Sequence, residues 1–237
     1  MKHIHAFVVS VAPFSVAKTL NICYDKISSV KFIGKFLAQL GLCKKRTIIR
    51  IKNTGKMIVR VRTMQPWKHF CTITRHRHEV IRNCFHAGIL WQGLRHDLSK
   101  YSPTEFMQGA RYYQGDRSPN AEERERNGYS IAWLHHQGRN KHHFEYWQDY
   151  DPKTRFKEPV KMPVKYVKEM FCDRVAASKI YYGKNYKEDM PLAYFEKGKY
   201  CRMIHPETSD LIEKLLRMLK EKGEKETFRY IRSLKKY

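Results

Sequence analysis

The chain has 237 residues, of which 42% are hydrophobic and 13% aromatic; this is enough apolar material to bury a core, and it excludes a wholly disordered protein. Lysine and arginine outnumber aspartate and glutamate by 47 to 23, giving a formal net charge of +24, so anions are the natural partners of the surface. The six cysteines have no C-x-x-C spacing. This excludes a disulfide framework and the usual zinc fingers, and it is typical of reduced thiols in a cytoplasmic protein.

The first 66 residues are more basic than the rest. They carry 13 Lys and Arg against one acid, Asp25, a net charge of +12, whereas the remaining 171 residues carry 34 against 22, also +12. We therefore predict a basic N-terminal extension over 1–66 and a second domain over 67–237. The extension makes nucleic acid a candidate partner. Its longest apolar run, 4–17, is too short to span a membrane, so no membrane insertion is expected.

Two short elements are predicted within the extension. Residues 30–40 have the pattern of a short helix that ends at Gly41. Residues 47–61 alternate loosely between apolar and polar side chains around Thr54-Gly55. This alternation favours a basic β-hairpin with its turn at those two residues.

From Trp67 onward, apolar residues recur at three- and four-residue intervals, which predicts helices. The first is long and amphipathic and extends to about Ile89. Ser102-Pro103-Thr104-Glu105 has the residues of a capping box, with proline at the first helical position. Ser118-Pro119 is predicted to begin a helix that runs to Gly138.

Two further helical patterns follow toward the C-terminus. One covers residues 160–183, and the other covers 206–219. Gly223 follows the second and separates it from a last basic helix. Six or seven helices with few strand signals predict an all-α domain.

Histidine is concentrated in one part of the chain. Nine of the twelve histidines lie between His69 and His143, and they include the pair His96-Asp97 and the doublets His135-His136 and His142-His143. Neutral imidazole is the commonest nitrogen ligand of transition metals, and a carboxylate can bridge two ions. The concentration therefore predicts a metal site with more than one metal.

Two further polar residues lie on apolar helical stripes. His76 shares its stripe with Ile73 and Val80, so it is predicted to point inward. Asp173 lies between Phe171 and Val175. A carboxylate in such a position is costly to bury unless it meets a metal ion or a cation.

The order of an isolated His, a His-Asp pair, downstream histidines and a late helical Asp resembles the HD-domain superfamily of metal-dependent phosphohydrolases. The segment 96–100, HDLSK, looks like the HD-I-G-K form of its cyclic-dinucleotide phosphodiesterases. Three longer segments resemble a bacterial domain-of-unknown-function family of the same layout, over roughly residues 67–232 and with no established activity: HDLSKYSPTEF, GYSIAWLHHQGRNKHHFEYW and MPVKYVKEMFCDRVAASKIYYGKNY.

The resemblance implies an HD-like helical bundle with a defined set of metal ligands. His76, His96, Asp97 and Asp173 would hold one metal ion, and Asp97 could bridge to a second. One histidine of each doublet would complete the second site, for which we select His135 and His142. The two doublets are only seven residues apart, closer than in the better-known members of the superfamily.

The resemblance also implies roles in substrate binding. Lys100 would contact a substrate phosphate and take part in catalysis with Asp97, while Arg139 and Asn140 offer further donors to an anion. Metal-bound imidazoles need a carboxylate or carbonyl to fix their tautomer. The candidates for that role are three glutamates: Glu79, Glu105 and Glu145.

These residues favour a metal-dependent phosphohydrolase that acts on a nucleotide or another small anionic phosphoester. Nitrogen and carboxylate ligands suit one or two divalent ions of Fe, Mn, Co, Ni or Zn, and paired ions can clamp a phosphoryl group. Two alternatives remain. One is a di-iron oxygenase of the HD fold, and the other is a nucleic-acid-binding protein in which residues 1–66 bind and the HD-like site is structural.

Overall fold

The computed structural model describes the backbone of four N-terminal strands and all of residues 64–237. The chain divides into two compact units, Met1–Met64 and Gln65–Tyr237. The strands of the first unit are His5–Val11 (β1), Lys18–Tyr24 (β2), Thr47–Ile51 (β3) and Met57–Val61 (β4).

The four strands form two antiparallel pairs. Strand β3 pairs with β4, with Thr47 opposite Val61, so the predicted hairpin is confirmed in its strands. Its turn, and the helix expected over 30–40, lie outside the described residues. The pairing of β1 with β2 was not predicted, because the apolar residues of β1 do not alternate with polar ones.

The second unit consists mainly of α-helices, as predicted. Its described residues form eight of them: Pro66–His86 (α1), Leu90–Arg95 (α2), Pro103–Tyr112 (α3), Pro119–Asn127 (α4), Ile131–Gln137 (α5), Val164–Tyr182 (α6), Met190–Lys197 (α7) and Pro206–Ser233 (α8). A short antiparallel pair, Gln148–Tyr150 (β5) with Lys157–Pro159 (β6), lies between α5 and α6. No helix in the described part of the chain is long and apolar enough to cross a membrane.

The apolar core lies where α1, α6 and α8 pack together. Val80 of α1, Phe171 and Val175 of α6, and Leu215 and Leu219 of α8 are all fully buried. Burying such side chains contributes about 1.5–3 kcal/mol each. The core therefore fixes α1 and α6 against each other, and these are the helices that also present His76 and Asp173.

Several helix ends follow the sequence signals, although α1 ends at His86, not near Ile89, and α6 begins at Val164, not at residue 160. The Ser102 hydroxyl accepts from the Glu105 backbone N–H, but the Glu105 side chain contacts His135 and His136 and does not complete the predicted capping box. The non-helical Gly223 interrupts α8 where a break was expected. The single helix predicted over 118–138 is wrong. Gly128, with φ +82°, ends α4, and Ser130 begins α5 by accepting from the Trp133 backbone N–H at 3.0 Å.

Candidate metal centre

Buried polar side chains from α1, α5, α6 and the segments after α2 and α5 meet at one place. His96, Asp97, His136 and His142 are each only 1–2% exposed. They belong to three groups in which the potential ligand atoms all lie within 4.8 Å of one another: one of His96, His142 and Glu169, and two that share Asp97. Of the two that share Asp97, the first group is His76, His96, Asp97 and Asp173, and the second is Asp97, His136, His142 and His143.

The two carboxylate oxygens of Asp97 face different groups. Oδ2 lies 3.1 Å from His96 Nε2 and 3.8 Å from His76 Nε2. Oδ1 lies 3.3 Å from His136 Nε2 and 3.5 Å from His142 Nε2. One carboxylate is therefore placed between two clusters of imidazole nitrogens, as a bridging ligand would be.

The remaining members close each group. Asp173 Oδ1 lies 3.0 Å from His76 Nε2 and 3.6 Å from His96 Nε2. In the second group, His136 Nε2 and His143 Nε2 are 2.9 Å apart. Each group thus combines imidazole nitrogens with carboxylate oxygen, the donor set that suits first-row transition metals.

The backbone at Asp97 is left-handed, with φ 53° and ψ 27°. Aspartate is one of the few non-glycine residues that adopt this conformation readily. It lets the chain turn from α2 directly into a 3₁₀ turn at Leu98–Tyr101. The turn brings His96 and Asp97 side by side into the same buried space.

Several potential ligand atoms are buried without a hydrogen bond. His76 Nε2, His96 Nε2, His142 Nε2 and both oxygens of Asp97 lack a partner with hydrogen-bond geometry. Leaving a buried polar atom unsatisfied costs about 1–3 kcal/mol. Because these atoms face one another across the two groups, a bound metal ion would satisfy them together. The buried His and Asp groups could therefore hold metal.

Two glutamates contact the Nδ1 atoms of histidine rings in and beside the two groups. Glu169 Oε1 accepts from His96 Nδ1 at 2.9 Å and lies 3.2 Å from His142 Nδ1. Glu105 contacts His136 Nδ1 at 2.7 Å and His135 Nδ1 at 2.6 Å. A proton held on Nδ1 by a glutamate would leave Nε2 as the nitrogen that binds a metal ion.

Of the three glutamates predicted for this role, only Glu105 contacts a histidine of the two groups within the described residues. Glu79 instead lies 3.1 Å from Lys179. Glu145 contacts no described histidine of the two groups, and burial of its carboxyl group raises its pKa. Glu169 was missed. Its signal was available, since it lies four residues before Asp173 and so shares its face of α6.

Opposite charges in the centre stabilise each other. Burial alone would lower the pKa of His96 and raise that of Asp97, but the proximity of the two groups shifts both the other way: the pKa of His96 is well above its usual value and that of Asp97 well below. Burial also opposes ionisation of Glu169, yet the His142 and His96 rings beside it lower its pKa to about 2. Metal binding at His96 Nε2 would displace a proton.

The predicted second-site histidines are only partly placed as expected. His142 belongs to the second group, together with His143. His135 does not; it lies outside both groups with its Nδ1 on Glu105, and its neighbour His136 faces Asp97 instead. Consecutive helical residues point about 100° apart, so only one of this doublet can face the centre.

The predicted substrate-binding residues lie in three different environments. Lys100 Nζ is 2.5 Å from Asp97 Oδ2, and the side chain is 29% exposed, so it connects the buried carboxylate with solvent. The Asn140 amide donates to Ser99 Oγ at 2.9 Å and to the His136 carbonyl at 2.8 Å. Arg139 is exposed and donates to the His135 carbonyl. Of these three residues, only Lys100 forms an ion pair with a member of the two groups.

A family model described as a family of unknown function, DUF5662, matches residues 65–218. The chain belongs to this family. The match spans both groups, from His76 to Asp173. No curated protein and no solved structure matches the chain. Membership of DUF5662 therefore agrees with the sequence resemblance to an uncharacterised family and brings no activity with it.

Proposed function

We propose that this DUF5662 protein is a metal-dependent phosphohydrolase that acts on a nucleotide or another small phosphoester. The observation that carries the proposal is the position of Asp97, whose two oxygens face two separate sets of imidazoles. The order of these residues along the chain is also that of the HD-domain superfamily. The family comparison does not extend to that superfamily, so the resemblance rests on the residues alone.

The residues divide naturally between two ions. His76, His96 and Asp173 would hold the first with Asp97 Oδ2, and a second would lie between Asp97 Oδ1 and the other three histidines: His136, His142 and His143. When bound, paired ions of this kind supply a clamp for phosphoryl oxygens and water of lowered pKa.

The open side of the centre indicates where a substrate would enter. Asp173 is 18% and Lys100 29% exposed, whereas His96 is fully buried. Lys100 would therefore meet the phosphate of a substrate that approaches from solvent. Its ammonium also offsets the charge of Asp97, which keeps the carboxylate ionised.

Metal content tests the proposal first. Asp97→Asn is the sharpest variant, because asparagine keeps the shape of the side chain and tolerates the left-handed backbone. Elemental analysis of the full chain, purified anaerobically without added metal, should give about two equivalents of transition metal in the wild type. The variant should lose both ions and all phosphoesterase activity. Asp210→Asn, an exposed change on α8, is the matched control and should retain both.

Three outcomes would contradict the proposal. If Asp97→Asn kept metal and activity, Asp97 would not be the shared ligand. If the wild type bound no metal on titration, the histidines would be structural. If phosphoesters were untouched and the iron-loaded protein consumed oxygen, the centre would be that of a di-iron oxygenase.

A further inference from the structure

An apolar surface outside the metal centre is exposed along α1, α2 and the 3₁₀ turn. Its side chains include two tryptophans that are about three-quarters exposed, Trp67 at 73% and Trp91 at 77%, and Leu98 at 52%. We call this surface the aromatic ridge, and its members are Trp67, Phe70, Trp91, Leu94, Leu98 and Tyr101. Monomeric proteins rarely leave large contiguous apolar patches exposed unless they bind something.

The members of the aromatic ridge are connected. The Trp67 and Phe70 rings stack with centroids 5.8 Å apart, and Phe70 meets Tyr101 edge-on at 6.1 Å. The Tyr101 hydroxyl lies 3.0 Å from Thr74 Oγ1, which holds the 3₁₀ turn against α1. These contacts join Trp67, Phe70 and Tyr101 into one ordered patch.

The part of the aromatic ridge on α2 is held against α1 by a separate contact. Arg77 donates to the Leu94 carbonyl at 2.5 Å, which fixes α2 against α1. Trp91 and Leu94 are three residues apart on α2 and so share a face.

The chain segment that carries the aromatic ridge is mostly basic. Residues 64–101 contain only two carboxylates, Glu79 and Asp97. Both are engaged, the first with Lys179 and the second with Lys100. Four cations of this segment have no carboxylate within 4 Å among the described residues: Lys68, Arg75, Arg77 and Arg95.

We propose that the aromatic ridge binds single-stranded nucleic acid. Exposed aromatic rings with unpaired cations are what base stacking and backbone attraction require. A second copy of the chain would bring the same positive surface and a net charge of +24, so a dimer through this face would be opposed by repulsion. An acidic peptide would use the cations but not the ring faces. This proposal does not rest on the phosphohydrolase activity, and it concerns the second unit, not the basic N-terminal extension.

The test is fluorescence anisotropy of the full chain with a labelled oligo(dT) of about 20 nucleotides, at low and at physiological salt. Trp67→Ala and Trp91→Ala remove side chains that are mostly in solvent, so the fold should persist, as thermal unfolding will check. Each should weaken binding about 5- to 150-fold, which is the range for losing one stacked base. Phe156→Ala, an aromatic side chain of equal exposure (72%) outside the aromatic ridge, should bind like the wild type.

Two further measurements separate this proposal from its competitors. Removing metal with a chelator should leave the oligonucleotide affinity unchanged, because the aromatic ridge needs no metal. Polyglutamate, which has charge without bases, should bind more weakly than the oligonucleotide and should not respond to Trp67→Ala.

Four results would overturn the proposal. They are unchanged affinity in both tryptophan variants, an equal loss in Phe156→Ala, polyglutamate binding that the tryptophan variants weaken equally, and self-association through the aromatic ridge without oligonucleotide binding.

Discussion

The metal centre and the apolar core of the second unit are built on the same two helices but are held together differently. His76 lies in the centre, and Val80, four residues further along α1, lies in the core. On α6, Asp173 lies between the core residues Phe171 and Val175. The core is a cluster of buried apolar side chains, whereas the centre contains buried polar atoms with no hydrogen-bond partner. Stability and chemistry are therefore separable here, although they are adjacent.

The difference has an energetic consequence. Buried polar atoms without partners destabilise a fold unless a ligand satisfies them. Before any metal binds, the core and the ion pairs of His96 with Glu169 and of Asp97 with Lys100 hold the centre in place. Changes in the core should thus alter stability without altering metal content, whereas changes at the metal ligands should alter metal content and, through the loss of bound metal, stability as well.

The largest effect on stability is expected from the core. Leu215→Ala removes a fully buried side chain on α8 and should lower the free energy of unfolding by about 2–5 kcal/mol, because it leaves a cavity. Chemical denaturation measures this loss, and elemental analysis of the folded variant should show the metal content of the wild type. Leu134→Ala, at a leucine that is 55% exposed, should change little. A loss of metal in the folded Leu215 variant would show that the two regions are coupled.

The same contrast explains which residues could be predicted from sequence. His76 and Asp173 were recognisable because each interrupts an apolar stripe on a long helix, a local pattern that tertiary packing does not change. The choice within the His135-His136 doublet was not local. It depends on the rotation of α5, which Gly128 and Ser130 set by dividing the predicted helix in two.

Glu169 shows what a ligand-based interpretation leaves out. Sequence motifs single out residues that would touch the metal, but Glu169 contacts the Nδ1 atom of His96 and lies near that of His142. The fold class was predictable from helical periodicity, while the β1–β2 pair was not, because the residues of β1 carry no alternating pattern.

A smaller effect, confined to the metal centre, is expected at Glu169. Glu169→Ala removes the acceptor of His96 Nδ1 and should weaken metal affinity about 10- to 100-fold, because the ring loses its orientation and tautomer. Glu169→Gln keeps an acceptor oxygen and should fall between the wild type and alanine. Competition with a chromophoric chelator measures both.

Glu79→Ala provides the control for the Glu169 variants. Glu79 is also a glutamate of the second unit, but its partners are Arg82 and Lys179, so the change should leave metal affinity intact. Equal affinities for the wild type and both Glu169 variants would show that the glutamate only fills space.

The smallest effect is expected at Lys100, which lies between the buried Asp97 and solvent. Lys100→Ala removes the cation beside Asp97 Oδ2 but none of the atoms that would hold metal, so both ions should remain. Losing one charge-assisted contact with a phosphate should raise KM about tenfold, or ~1.4 kcal/mol, and leave kcat less affected. Steady-state kinetics with the phosphoester that the wild type hydrolyses fastest measures the change, beside the exposed Lys220→Ala as control. An unchanged KM would remove Lys100 from substrate binding, and a loss of metal would place it instead among the groups that keep Asp97 in position.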